Sequence, residues 1–137
     1  MGIKEIAQFI LAVSLVATAG SANADELASP CKGNPEIASK IVGKCFMVRG
    51  RANYANGIPF RLWIVGTHRI VAPTNIPPKV ADYLDLGVPA FDVVVFGDYE
   101  ICPIEKDIPG WMRSVCIESA THLKATKWDG KPVRLPQ

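Results

Sequence analysis

Between Lys44 and Lys79 every charged side chain is an arginine: Arg49, Arg51, Arg61 and Arg69, with Trp63 among them. Basic and aromatic groups in one stretch suit ligands such as single-stranded nucleic acid or an anionic glycan. Rings stack on the indole while the cations hold the negative groups. Spacing decides whether these residues act together. Phe46, Val48, Gly50 and Ala52 alternate with Met47, Arg49, Arg51 and Asn53, and Phe60, Leu62 and Ile64 alternate with Arg61, Trp63 and Val65. That is strand periodicity, with the apolar set on one side and the Arg/Trp set on the other. A two-residue turn at Asn56-Gly57 would pair Ala52 with Arg61 and mix the faces. A three-residue loop, Ala55 to Gly57, keeps them apart and opposes Ala52 to Phe60, Arg51 to Arg61 and Arg49 to Trp63. The last pair would make a cation–π contact of about 0.5–1 kcal/mol. The Arg51/Arg61 pair sets like charges side by side, which costs stability unless a carboxylate or an anionic partner lies over them. The competing reading is structural: the acidic segment 82–118, or a first helix, covers the face and neutralises the arginines.

A second constellation is carboxylic. If Cys102 and Cys116 face each other across antiparallel strands, the register sets Glu100 opposite Glu118. Opposed carboxylates can share a proton or hold a cation, which is one way to build an acid–base site. Exposed positions, or pairing with Lys124 or Arg113, would make the two glutamates ordinary surface groups. His68 and His122 have no serine or cysteine arrangement around them that marks a nucleophile, and the glycines at Gly50 and Gly57 do not form a phosphate loop. No motif argues for an enzyme, and no cofactor or metal is expected.

The cysteines Cys31, Cys45, Cys102 and Cys116 are even in number and lack the Cys-x-x-Cys spacing of metal or redox motifs. They read as disulfides, and local pairing, Cys31–Cys45 and Cys102–Cys116, closes two loops of 14 positions each. A loop of that size is worth about 3 kcal/mol in the chain-entropy treatment. Disulfides imply an oxidising compartment. The N-terminus agrees: after Lys4 and Glu5 an apolar run, IAQFILAVSLVATAG, ends at Ala22-Asn23-Ala24. It falls short of the ~20 apolar residues of a membrane span and reads as a signal peptide, residues 1–24, cut after Ala24. The remaining 137 − 24 = 113 residues, 25–137, make a single β-barrel-like domain with its core at about 45–123 and no membrane span.

Net charge is +2, but its distribution is uneven. From Ile37 to Ala81 there are seven basic residues and no acidic one; from Asp82 to Glu118 there are eight acidic residues against Lys106 and Arg113. Such blocks fold into opposite-sign patches or neutralise each other across a sheet.

The elements that position these groups follow from punctuation. Asn34-Pro35 caps a helix running to about Val42. The two strands above come next, then Gly66-Thr67 and a third strand at about Arg69–Ala72. Pro78 to Leu86 reads as a short helix with Val80 and Leu84 inward. The FDVVVF run at 91–96 is a strand buried on both faces, with a bend or bulge at Gly97-Asp98 and continuation to Ile104. Trp111, plugging one end, opens a last strand to about Leu123, and the tail is polar. Three strands, a helix and two strands is the order of a small five-stranded OB-like barrel, mainly β, with one or two short helices and two disulfides.

At GRANYANGIPFRLWIVGTHRI and VVVFGDYEICP…GWMRSVCIESATHL the chain resembles a group of small exported bacterial proteins without an established activity. The shared features are a Gly-Arg strand, a Tyr-Asn-Gly-type turn, an Arg-x-Trp strand and a Val-Cys-Ile strand, over about 45–123. The resemblance implies export and a compact β domain with paired cysteines, and carries over no catalytic residue.

The leading functional expectation is therefore a small periplasmic or secreted binding module. Its site is Arg49, Arg51, Arg61, Trp63 and Arg69, and its partner an anionic polymer or another envelope protein. The alternatives are an acid–base or metal-dependent enzyme using Glu100 and Glu118, and a structural envelope protein without a small ligand.

Overall fold

The computed structural model describes residues 29–56 and 60–137; the signal-peptide segment 1–24 lies outside them. The chain is mainly β. In order, it forms helix α1 (Pro35–Ala38), strands β1 (Phe46–Asn53), β2 (Arg61–Ile64) and β3 (Ile70–Pro73), helix α2 (Pro78–Leu84), and strands β4 (Val93–Pro103), β5 (Arg113–Lys127) and β6 (Pro132–Val133). The strands lie in the order β3-β2-β1-β4-β5-β6, and β3 also pairs with β5. That last pairing is parallel, while the others are antiparallel. It returns the sheet to its own start, so β1, β2, β3, β5 and β4 form a ring of pairings, and β6 pairs with the C-terminal part of β5. Among the described residues no helix is long and apolar enough to cross a membrane.

The core fills the inside of this ring. Ala52, Leu62, Val71, Val95, Ile101 and Ile117 are buried there, each on the apolar side of its strand. Val80 and Leu84 of α2 join them, as the helical spacing predicts. The FDVVVF run is buried on both sides at Val93, Val94 and Val95.

The first hairpin differs from expectation. Ala52 pairs with Leu62, Gly50 with Ile64, Arg51 with Trp63 and Asn53 with Arg61. This is a slip of two residues from the register that a loop at Ala55–Gly57 would impose. Because side chains alternate with a period of two, a two-residue slip leaves both faces intact and escapes the face argument. Phe60, expected to sit in the strand, lies just before β2 and is buried.

The β4–β5 ladder is irregular at Gly97-Asp98, but the bulge lies on the partner strand and not in β4, and a second follows. The β4–β5 register shifts between Phe96 and Asp98 and again between Glu100 and Ile101. In each case β5 carries the extra residue. The first shift falls beside His122, whose φ of 51° is the left-handed value a bulge tolerates. At the second, Glu100 pairs with Ser119 and Ile101 with Ile117, so Glu118 is the residue left over.

The disulfides also differ. Cys31 bonds Cys116 and Cys45 bonds Cys102, not the local pairs. The reason is register. Phe46 pairs with Ile101, and Cys102 with Cys116. Cys45, Cys102 and Cys116 therefore fall in one row across β1, β4 and β5, and Cys102 is bonded on its β1 side. Cys116 then takes Cys31, which the N-terminal segment lays on top. Ile37, Ile41 and Ile104 pack around the two bridges as a small second core. The helix there is a single turn, shorter than the sequence suggests. Asn34 Oδ1 accepts from Glu36 N at 3.1 Å, and the helix ends at Ala38 with Ser39 as its C-cap.

Two further expectations are corrected. Trp111 does not plug the end of the ring; it stands 75% exposed in the loop before β5. The last strand does not end at about Leu123: β5 runs on to Lys127 and turns through Asp129-Gly130, where Gly130 has φ 87°, into β6.

Tyr99 crosses the core, fully buried, and donates its hydroxyl to Val95 O at 2.9 Å. Burial holds its phenol well above the usual tyrosine range, partly offset by the nearby Arg49 charge. The unfolded chain releases this proton from about pH 10, whereas the folded chain retains it. Stability should therefore fall as pH rises beyond about 10. In a phenolate absorbance titration, Tyr99 should ionise only together with loss of the fold; a reversible ionisation within the intact fold would contradict its burial.

Candidate anion-binding face

Strand alternation sends Arg49 and Arg51 outward from β1, and the hairpin register brings Trp63 of β2 opposite Arg51. The cation–π partner of Trp63 is thus Arg51 and not Arg49, as a consequence of the two-residue slip. The Arg51 Cζ atom lies 4.5 Å from the Trp63 ring centroid and 4.6 Å from that of Trp128. Its guanidinium thus makes cation–π contacts with two indoles at once.

Both indoles are fixed by the backbone. Trp63 Nε1 donates to Thr67 O at 2.7 Å, within the turn that leads to β3. Trp128 Nε1 donates to Phe91 O at 2.6 Å, where the chain enters β4. Trp128 escapes the sequence reading because it follows β5, far along the chain. The only local sign is its place just before the Asp129-Gly130 turn, which fixes an aromatic side chain at a strand end.

The remaining residues of the set divide. Arg49 pairs with Asp98 at 3.4 Å, and His122 Nδ1 meets the other oxygen of that carboxylate at 2.9 Å. Arg61 faces Asn53 rather than Arg51, so the expected like-charge pair does not form. The Nε atoms of Arg51 and Arg61 are both shielded from water and have no hydrogen-bond partner among the described residues. Burial draws the Arg51 guanidinium below the usual arginine range. Arg69 leaves the group. Its carbonyl accepts from Ile64 N, and its side chain pairs with Asp107 at 2.5 Å, at the open end of the ring. Neutralisation by the acidic segment is therefore real for Arg49 and Arg69. It does not reach Arg51 or Arg61 among the described residues.

Glu100 and Glu118 are not opposed, because the second bulge puts Ser119 across from Glu100. Glu100 accepts from Lys32 Nζ at 2.8 Å. Glu118 accepts from Ser29 Oγ, from Cys31 N at 3.1 Å and from Lys32 N at 3.0 Å. These carboxylates clasp the N-terminal segment onto the sheet. Glu118 also lies near the sulfurs of Cys31 and Cys102, but both are disulfide sulfurs and offer no thiolate to a metal. His68 is exposed in the β2–β3 turn.

Comparison of the chain with protein-family models, with curated proteins and with solved structures gives no match.

Proposed function

We propose that this chain is an exported binding module, an OB-like barrel that takes an anionic polymer on the face built around Arg51. Export is supported by the leader-like N-terminus and by two disulfides. The barrel class is supported by the ring order β1-β2-β3-β5-β4, with a helix between β3 and β4.

The observation that carries the binding reading is the Trp63–Arg51–Trp128 cluster. Two indoles lie within cation–π distance of the guanidinium, and neither offers it a hydrogen-bond acceptor. No described carboxylate pairs with it. A guanidinium held in one orientation presents its fork to a carboxylate, sulfate or phosphate with little ordering cost. Arg61 adds a second cation on the same side of the sheet.

The test is Arg51→Met, which keeps an unbranched side chain beside the indoles and removes the charge. The fold should be retained, because Arg51 Nε has no partner to lose. Binding of heparin and of oligothymidylate, followed by tryptophan fluorescence, should weaken about 30-fold if Arg51 is the central contact. The slope of log K against log salt should shrink by about one. Unchanged affinity and salt slope in a folded Arg51→Met protein would end this reading.

A further inference from the structure

The open end of the ring carries a separate feature that does not depend on the Arg51 face. Phe46, Ile64, Val71, Ile101 and Val115 line a chamber of about 130 Å³. Val71, Ile101 and Val115 belong to the buried core, whereas Phe46 is 42% exposed at the opening. Arg69 and Arg113 stand at the same chamber and are its only charged lining. Arg69 is shared with a wider outer hollow of about 590 Å³, formed between the β2–β3 turn and the β4–β5 loop and walled by Asp107, Ile108 and Trp111.

The size and the lining select a ligand. An apolar cavity of about 150 Å³ stays dry and accepts a benzene ring, so a 130 Å³ chamber suits one aryl ring or a short branched alkyl group. A purely apolar guest would leave the two arginines without a role. Arg69 gives one Nη to Asp107, and Arg113 gives its Nε to Glu105 O at 2.9 Å. Their other guanidinium N–H groups have no partner among the described residues. The Glu105 carboxylate is engaged by Ser114 N at 2.6 Å and makes no ion pair with Arg113. A small site with an apolar floor and a few convergent polar groups is the usual form of a small-molecule pocket.

We propose that this chamber binds a small carboxylic acid with an aryl or short branched-alkyl tail, the tail inside and the carboxylate on Arg113 and Arg69. Asp107 bonds Arg69 directly and feels the Arg113 charge only through space, so Arg113 is the principal anchor. The outer hollow is the entry path, and Trp111 lies beside it.

Isothermal titration of the protein, purified with both disulfides formed, against benzoate, acetate and benzyl alcohol tests this. Benzoate should bind saturably and about tenfold or more tighter than acetate. Arg113→Gln should weaken benzoate by about tenfold, the scale of one charge-assisted hydrogen bond, and leave benzyl alcohol unaffected. Val115→Leu, which fills the chamber, should weaken both aryl ligands. In the wild-type protein, benzoate should also shift the methyl NMR signals of Val71 and Val115, a readout that does not require either variant to fold. Equal binding of acetate and benzoate, or no saturable benzoate binding, would overturn the proposal. So would unmoved Val71 and Val115 methyls, or benzoate affinity insensitive to Arg113→Gln.

Discussion

Reduction of both disulfides is expected to unfold the protein at room temperature. The bridges are nested: Cys45–Cys102 spans 57 residues and lies inside Cys31–Cys116, which spans 85. In the chain-entropy treatment the inner bridge alone is worth about 4 kcal/mol. With it in place, the outer bridge closes the remaining 85 − 57 = 28 residues, worth about 3.5 kcal/mol by the same relation. The pair together approaches about 8 kcal/mol, against a total stability of about 5–15 kcal/mol for an ordinary domain. The local pairing read from the cysteine spacing would give less, about 3 kcal/mol for each bridge. Breaking Cys31–Cys116 also frees the segment that Glu118 holds through the amides of Cys31 and Lys32. Urea unfolding followed by circular dichroism, with and without a phosphine reductant, checks the prediction. A reduced chain that keeps a cooperative transition near the oxidised midpoint would refute it. A Cys31→Ala/Cys116→Ala variant should lose about half as much as full reduction.

Tyr99→Ala should cost about 3–5 kcal/mol, the range for truncating a large buried aromatic. Gly50 and Gly97 are cross-strand partners on β1 and β4, and the Tyr99 ring occupies the room that their side chains would need. A Cβ on Gly50 would stand 2.6 Å from Leu62 Cδ1 and 2.9 Å from Tyr99 Cδ2; one on Gly97 would stand 3.3 Å from Tyr99 Cε2 and 2.6 Å from Leu123 Cδ2. The two glycines and the tyrosine are thus one packing unit. An aromatic side chain covers a stretch of sheet that has no side chains of its own. Removing the ring leaves a cavity between three strands with nothing nearby able to fill it. Tyr99→Phe keeps the ring and loses only the bond to Val95 O, for about 1 kcal/mol. Gly50→Ala should cost about 1–3 kcal/mol, because its methyl meets two core side chains. Equilibrium urea denaturation ranks the three variants. A Tyr99→Ala loss below that of Tyr99→Phe would show that the ring is not the support it is taken to be.

Much of the fold is legible in local pattern. The alternation around Arg49 and Arg51 gives β1 its two faces, the spacing of Val80 and Leu84 gives α2 its buried side, and Gly97-Asp98 marks where the β4–β5 ladder breaks. These features depend on residues a few positions apart, and the periods of helix and strand carry them directly. The candidate face was legible to the same extent. Arg49, Arg51, Arg61 and Trp63 do share a side of the sheet, whereas Arg69, beyond the Gly66 turn, is near them only in sequence and belongs to the open end.

What the tertiary structure alone decided has one physical origin: strand pairing is non-local, and its register is invisible to period-two patterns. A two-residue slip exchanged Arg49 for Arg51 opposite Trp63 while leaving every face unchanged. One extra residue at Glu118 turned a possible carboxylate pair into a clasp for the N-terminal segment. The row formed by β1, β4 and β5 chose the cysteine partners over their nearer neighbours in sequence. The same long pairings carried Trp128 back over Arg51 and completed the cluster. Composition and periodicity determined a disulfide-bonded, mainly β chain with a basic aromatic face; only the closed pairing of distant strands determined which atoms of that face meet.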